Sequence, residues 1–322
     1  MNILCIGPTK QSCHVGENLY KSFAKLKHNV IFCDKDKIKR SGRFDDIFNA
    51  VIAKKIPFPL SRIIEVFGKS YDFIFIDEGY FVWHNDVSIP VIYYQREFYR
   101  PPKCYYPTIA LFFHSAIIKH FWSFCRFWMN QVPIIKTFPV AADFETYKGR
   151  EKIFKGVSGI GFRESMKNID EMIELTKLSA HSILENRFQQ FRETGLQLFD
   201  TPISNQRYRT LLSQCEATYI PISPFQYTTR RIVEAMASKC ACVIKLDGDR
   251  HARILRELGY EKWIHYVPIE TVRQCIDAHR NFRKNQKMLY QMIGVAYDVT
   301  KKRHSYDVRA KYLIGLIEGL AR

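Results

Sequence analysis

An arginine and a carboxylate lie three residues apart in segment 228–238, which reads TTRRIVEAMAS. On a helix, residues three or four apart share a face, so one stripe would contain Arg231, Glu234, Ala235 and Ser238. A guanidinium binds phosphate oxygens, a carboxylate accepts hydrogen bonds from sugar hydroxyls, and small residues permit close approach. The segment is typical of a nucleotide-diphosphate site, or of a helix salt bridge beside a tight helix–strand contact.

A second segment with phosphate-binding chemistry precedes it at residues 158–163, SGIGFR. Glycine has no Cβ, so Gly159 and Gly161 would let the backbone approach a phosphate closely. Arg163 adds a bidentate guanidinium, and Lys167 adds a cation one turn later. The two segments together predict a donor site built from Gly159, Gly161, Arg163, Lys167, Arg231 and Glu234.

The elements that must position these residues alternate between short apolar strands and amphipathic helices. Predicted strands cover residues 2–6, 29–33, 71–76, 91–94, 155–160, 196–199, 217–221 and 241–246. Such alternation implies right-handed crossovers and parallel sheets covered on both faces, with ligands beyond the carboxyl ends of the strands. We therefore expect an α/β protein of two Rossmann-like domains facing across a cleft, at residues 1–140 and 153–300. A C-terminal helix, residues 301–322, would pack back on the N-terminal domain.

The donor segments carry a family resemblance. The glycine–Phe162–Arg163 turn and the R-x-x-E-x-M-A-S helix start resemble those of GT-B glycosyltransferases, and more particularly of bacteriophage DNA β-glucosyltransferases, which modify hydroxymethylcytosine. The resemblance implies that Arg163 and Arg231 hold a UDP diphosphate and that Glu234 holds the ribose. It implies a UDP-sugar as co-substrate, no tightly bound cofactor, and at most a loosely bound Mg²⁺ or Mn²⁺.

Two positions depart from this pattern. The family has a second arginine shortly after the Phe-Arg pair, where this chain offers only Lys167. Retaining GT-B enzymes have a glutamate eight residues before the helix glutamate, and this chain has Gln226 there. The departure at Gln226 favours an inverting mechanism.

An inverting transfer needs a general base that takes the proton of the acceptor hydroxyl. By resemblance, the base follows a strand that reads Tyr-Tyr, which makes Glu97 the first candidate. Asp77 and Glu78, at the end of another strand, are the alternatives, and each carboxylate could instead cap a helix or form a surface ion pair. Further contacts to sugar or acceptor are expected from Glu17, Arg96 and Arg100.

The charge of the chain bears on the acceptor, since 49 lysines and arginines against 32 acidic residues give a net charge of +17. Such a field attracts polyanions. Aromatic and basic residues interleave over residues 98–128 and could stack on bases and bind phosphates, form core, or lie on a membrane. We expect a hydroxymethylated base in double-stranded DNA, flipped out of the helix, as acceptor. One alternative acceptor is a lipid or cell-envelope glycan at a membrane. The other alternative is a non-enzymatic nucleic-acid-binding role.

Other features limit the function. No apolar run reaches the roughly 18 residues that span a bilayer. The nine cysteines lack paired spacing, which suits reduced thiols in a cytoplasm, or in a host cytoplasm for a viral protein. Cys240 and Cys242 are expected to be core thiols, and no metal site or obligate protein partner is predicted.

Overall fold

The computed structural model describes residues 1–7, 15–34, 58–68, 70–78, 83–84, 86–95, 108–113, 134–137, 141–160, 190–199, 204–221, 230–246 and 248–320. The chain divides into two compact units, the first containing Met1–Pro139 and Tyr306–Arg322 and the second Val140–Ser305. The last helix therefore belongs to the same unit as the N-terminal part of the chain.

The first unit is built on a parallel sheet. Its strands are β1 (Asn2–Gly7), β2 (Asn29–Asp34), β4 (Phe73–Glu78), β6 (Val91–Gln95), β7 (Thr108–Phe113) and β8 (Ile134–Thr137), in the order β2-β1-β4-β6-β7-β8. A separate parallel pair contains β3 (Phe58–Pro59) and β5 (Trp83–His84). The helices are α1 (Val15–Lys25), α2 (Leu60–Phe67) and α8 (Tyr306–Leu320).

The end of the chain returns to the first unit through α8, which packs on α1. The Ser22 hydroxyl donates to Asp307 Oδ1 over 2.6 Å, and Lys25 Nζ lies 3.8 Å from Asp307 Oδ2. Helix α1 has Glu17 in its first turn and Lys25 in its last, which suits the helix dipole. These contacts fix α1 against α8.

The second unit has a five-stranded parallel sheet in the order β10-β9-β11-β12-β13. Its strands are β9 (Phe154–Ile160), β10 (Leu198–Phe199), β11 (Cys215–Pro221), β12 (Ala241–Lys245) and β13 (Tyr266–Ile269). Its helices are α3 (Asn205–Gln214), α4 (Arg230–Ala237), α5 (Asp249–Glu257), α6 (Cys275–Lys284) and α7 (Gln286–His304), with a 3-10 turn at Val272–Gln274.

Both faces of the second sheet are buried. Successive residues of a strand point to opposite faces, so neighbouring residues of one strand report on both. On β12, Cys242 and Ile244 belong to a core cluster with α3 and α4, whereas Ala241 and Val243 belong to a cluster with α6 and α7. Every residue of β11 is buried. This continuous burial is what a parallel sheet covered by helices requires.

The predicted fold class, two Rossmann-like α/β domains, is confirmed by the two parallel sheets. The elements differ in detail from the prediction. Strand β7 lies within the aromatic stretch 98–128. Strand β8 lies in a proline-flanked region whose sequence is typical of a connection between domains. Short strands without period-2 alternation cannot be separated from apolar loops by sequence pattern alone. The sequence pattern also predicts a helix over residues 166–178, which lies outside the described residues.

Candidate functional site

The candidate site lies where the strand order of the second unit reverses. After β9 the chain adds β10 on one side of that strand, and then β11 on the other. Ligands of such sheets bind beyond the carboxyl ends of the strands at this reversal. Ile160 ends β9, Pro221 ends β11, and α4 is the next described element after β11.

Helix α4 has the predicted amphipathic organisation, with its apolar face in the core. Ile232, Ala235 and Met236 are at most 1 % exposed. Arg230 and Arg231 occupy the first turn, where the helix dipole also favours an anion. The helix thus presents two cations and its positive end at the carboxyl edge of the sheet.

Glu234 lies one turn further along α4 and is 4 % exposed. Its two carboxylate oxygens have different donors. The Tyr147 hydroxyl donates to Oε1 over 2.8 Å, and the Tyr208 hydroxyl donates to Oε2 over 3.2 Å. Arg230 Nε lies 3.7 Å from Oε1. A buried carboxylate needs hydrogen-bond donors and a cation to offset its lost hydration, and these residues supply them.

The tyrosines remain neutral donors in this arrangement. Burial raises the pKa of Tyr147 and of Tyr208 well above the ordinary value, and the Glu234 carboxylate acts in the same direction. Burial also lowers the pKa of Arg231, although a guanidinium keeps its proton at neutral pH. A partly desolvated cation next to the helix N-terminus interacts more strongly with an anionic ligand than an exposed one does.

Sequence reasoning missed part of this cluster. Arg230 has the i,i+4 spacing to Glu234, so a helical pattern could have found it. Tyr147 lies in a turn before β9, and Tyr208 lies on α3. Their contacts with Glu234 join residues that are 87 and 26 positions away in the chain. No local pattern marks such pairs.

Gly159 has a packing role in the structure. A Cβ at this position would lie 2.6 Å from Phe191 Cε1 and 2.8 Å from Leu198 Cδ1. Phe191 in turn stacks on Tyr219, with ring centroids 5.0 Å apart. Only glycine at this position of β9 leaves room for the side chains of Phe191 and Leu198. The other predicted donor residues of that segment, Gly161, Arg163 and Lys167, lie outside the described residues, as does Gln226.

Among the base candidates, Asp77 has a side-chain contact within the first unit. It is fully buried at the carboxyl end of β4, and its Oδ2 accepts a hydrogen bond from the Gly16 backbone N–H over 2.8 Å. This contact assigns Asp77 to the N-terminus of α1. Glu78 ends β4, where its backbone pairs with Gln95.

Glu17 is paired on its own helix, because Lys21 Nζ lies 2.9 Å from its Oε1. The first candidate base, Glu97, and its neighbours Arg96 and Arg100 lie outside the described residues. Among the predicted site residues that the structure describes, Arg231 and Glu234 lie one turn apart on α4, Asp77 accepts a hydrogen bond from the first turn of α1, and Gly159 packs against Phe191.

The described residues offer neither a metal site nor a membrane span. In that part of the chain, no group of three or more His, Cys, Asp or Glu side chains could hold a metal ion. Within the same ranges, none of the helices combines the length and the apolar character needed to cross a bilayer. Cys240 and Cys242 are buried free thiols, as expected.

No protein family profile and no curated protein sequence matches the chain. Solved structures match it over nearly its whole length. Sucrose-phosphate synthase from Thermosynechococcus elongatus gives a TM-score of 0.60 at 9% identity, covering 99% of both chains. The Anabaena protein HepE in complex with UDP and glucose gives 0.58 at 10% identity, covering 99% of this chain and 100% of that one.

A DNA-modifying enzyme is also among the similar structures. Beta-glucosyltransferase, solved with and without uridine diphosphoglucose, gives a TM-score of 0.56 at 13% identity, covering 98% of this chain and 99% of that one. T4 phage BGT in complex with UDP and Mn²⁺ gives 0.56 at 12% identity, covering 98% and 99%. At these identities the likeness establishes the fold, which is the GT-B fold of glycosyltransferases.

Proposed function

We propose that this protein is a glycosyltransferase that uses a UDP-sugar donor. One observation carries the proposal: a buried carboxylate, Glu234, lies one turn after Arg230 and Arg231 on the helix that follows the sheet reversal of the second unit. The fold adds support, since structures of the same fold hold UDP or uridine diphosphoglucose.

The donor chemistry follows from these groups. The first turn of α4 and Arg231 would stabilise the negative charge that develops on the diphosphate as it leaves the sugar. Glu234 would accept hydrogen bonds from the ribose hydroxyls, as the family resemblance implies. Arg163 and Lys167 would complete the diphosphate contacts on the β9 side.

The acceptor that we propose is the hydroxymethyl group of a modified base in DNA. Its oxygen would attack the anomeric carbon, the bond from that carbon to the diphosphate oxygen would break, and UDP would leave. Glu97 would take the hydroxyl proton, so the transfer inverts the anomeric configuration. The net charge of +17 and the motif resemblance support a polyanionic acceptor.

UDP binding, measured by isothermal titration calorimetry, tests the donor part. We expect Arg231→Ala and Glu234→Ala each to weaken UDP binding about 10- to 100-fold, because each removes a charge-assisted contact. Arg256→Ala, an exposed arginine on α5, is the matched control and should leave the affinity unchanged. Wild-type affinity in both site variants would favour the non-enzymatic alternative.

Transfer of labelled sugar from UDP-glucose tests the acceptor part. Hydroxymethylated duplex DNA should take up label, with Mg²⁺ and Mn²⁺ each added in parallel, and unmodified duplex DNA should not. Binding to DNA should weaken steeply with added salt if several phosphates are engaged. The absence of incorporation across several sugar donors and hydroxymethylated bases would exclude DNA as acceptor.

A lipid or envelope glycan at a membrane surface is the second candidate acceptor. Trp263 and Ile264 favour it, because they are adjacent in a turn and are 66% and 48% exposed. Tryptophan beside an aliphatic residue suits the interface of a bilayer. Flotation with anionic liposomes, compared with DNA retention at the same salt concentration, separates the two acceptors.

A further inference from the structure

We infer that Tyr147 and Tyr208 are positioning residues of the donor site, which orient the Glu234 carboxylate so that it recognises a ribonucleotide. The inference rests on the proposed function and adds residues to it. Neither tyrosine lies in a segment with sequence resemblance to a donor site, and both make direct contact with the carboxylate.

Each oxygen of the Glu234 carboxylate accepts one hydrogen bond from a tyrosine. An ionised carboxylate has about four lone-pair positions, two on each oxygen. Tyr147 occupies one position on Oε1, and Tyr208 occupies one on Oε2, whereas Arg230 Nε, 3.7 Å from Oε1, lies beyond hydrogen-bonding distance. Each oxygen therefore keeps acceptor capacity for one further donor. The 2′ and 3′ hydroxyls of a ribose offer two donors at neighbouring positions, which matches one acceptor position on each oxygen.

Both tyrosines are themselves held in place. Tyr208 is 3 % exposed within α3, and Tyr147 is 8 % exposed. The Tyr147 backbone N–H donates to the Asp143 carbonyl over 2.9 Å, and the Arg209 guanidinium lies 5.7 Å from the centre of the Tyr147 ring. Two separate segments, the turn before β9 and helix α3, thus fix the direction of one carboxylate, which restricts its rotation before any ligand binds.

Restricted rotation matters because Glu234 has rotamer freedom that a ligand would otherwise have to remove. A carboxylate whose direction is fixed by two tyrosines accepts hydrogen bonds from both ribose hydroxyls at once. If one hydroxyl of the sugar is absent, an acceptor position stays unpaired in a buried site, and the affinity falls. The tyrosines therefore determine discrimination between ribose and deoxyribose, beyond their contribution to stability.

The experiment compares the affinities of UDP and 2′-deoxy-UDP in wild type, Tyr147→Phe and Tyr208→Phe. Wild type should prefer UDP by about tenfold or more. In each variant we expect weaker UDP binding, little change for 2′-deoxy-UDP, and hence a preference reduced several-fold. In turnover assays, KM for the UDP-sugar should rise while kcat is retained, since the contact is present in both ground and transition states.

Tyr260→Phe is the matched control. Tyr260 is a buried tyrosine of the same unit, and its hydroxyl lies 3.0 Å from Thr300 Oγ1. This variant should keep the wild-type preference for UDP. Because Tyr147 and Tyr208 contact different oxygens, either variant reports on its own if the other fails to fold.

Three outcomes are distinguishable. A reduced preference in the two variants, with the control unchanged, supports the positioning role. An equal loss of UDP and 2′-deoxy-UDP affinity, or no loss, overturns the positioning role and leaves the donor proposal standing. Wild-type protein that binds no UDP overturns the proposed function, and the positioning role with it.

Discussion

The carboxylate of Asp77 accepts a hydrogen bond from the backbone N–H of Gly16 over 2.8 Å, which joins the carboxyl end of β4 to the first turn of α1. Asp77 is fully buried there, and a Cβ on Gly7 or on Gly16 would lie 3.2 Å from its Cβ. The contact satisfies one of the free N–H groups at the helix start. It also gives this carboxylate a structural contact, although its position at the carboxyl end of a strand suits a base.

Removing this acceptor should destabilise the first unit. Asp77→Ala leaves a buried N–H unpaired, which costs about 1–3 kcal/mol of unfolding free energy. Asp77→Asn keeps an amide oxygen and should cost less. Denaturant unfolding measures both, and kcat of folded Asp77→Asn should stay near the wild-type value. For Glu97→Gln, which removes the proposed base, we expect the opposite result: kcat falls and the free energy of unfolding does not change. The opposite pattern would make Asp77 the base.

Gly159 gives a second prediction, because its lack of a Cβ serves the packing of β9. Gly159→Ala should cost about 1–3 kcal/mol, since the new methyl group would lie 2.6 Å from Phe191. Gly294→Ala is the control: Gly294 is an exposed position of α7, and nothing lies within 4 Å of the methyl group that alanine would add there. The control should stabilise the protein by about 0.5–1 kcal/mol.

UDP affinity of Gly159→Ala separates packing from ligand contact. If the glycine serves packing alone, the folded variant should bind UDP as wild type does at a temperature well below its unfolding transition. A selective loss of UDP affinity in a fully folded variant would restore the phosphate role that the sequence pattern predicts for Gly159.

The two units and helix α4 were predictable because their signals are local. Apolar runs that end in turn residues mark buried parallel strands, and Ile232, Ala235 and Met236 give α4 its helical period. The partners of Glu234 were not predictable, because Tyr147 and Tyr208 reach it only through the tertiary fold. The packing role of Gly159 was not predictable for the same reason, since the glycine pattern does not reveal that Phe191 packs over it.

Lys152 supports the helices of the candidate site from their other ends. Its Nζ donates to the Ser213 carbonyl over 2.8 Å and to the Ser238 carbonyl over 3.2 Å, at the C-termini of α3 and α4. A cation at a helix C-terminus interacts favourably with the dipole and with the unpaired carbonyls. Lys152 is half-buried, and this burial lowers the pKa of its ammonium group.

Lys152→Met should therefore lower the free energy of unfolding by about 1.5–3 kcal/mol, because it leaves two carbonyls without their charged donor. Lys148→Met is the matched control in the same segment. Lys148 pairs with Glu145 over 3.3 Å at the surface, and exposed pairs of this kind contribute little. Equal effects of the two substitutions on the urea midpoint would contradict the role of Lys152.

The stability of the second unit should depend on pH through His265. Burial lowers the pKa of this buried side chain; Arg303 acts in the same direction and Glu261 opposes it. His265 Nδ1 also accepts a hydrogen bond from the Glu261 backbone N–H over 2.9 Å, which a protonated Nδ1 cannot do. The folded protein thus binds the proton less readily than the unfolded chain, whose histidine pKa is about 6.5. The contribution of His265 is therefore complete above that value and is lost as the pH falls through it towards the folded pKa.

Thermal unfolding between pH 8 and pH 5 measures this effect. We expect Tm of the wild type to fall below about pH 6.5, the ordinary histidine pKa. In His265→Gln the amide oxygen can still accept from Glu261 but does not titrate, so its Tm should fall less over the same range. His28, whose pKa burial also lowers, titrates in the first unit and remains in both proteins, so only the difference between their curves reports on His265. Parallel curves for the two proteins would show that His265 does not couple protonation to folding.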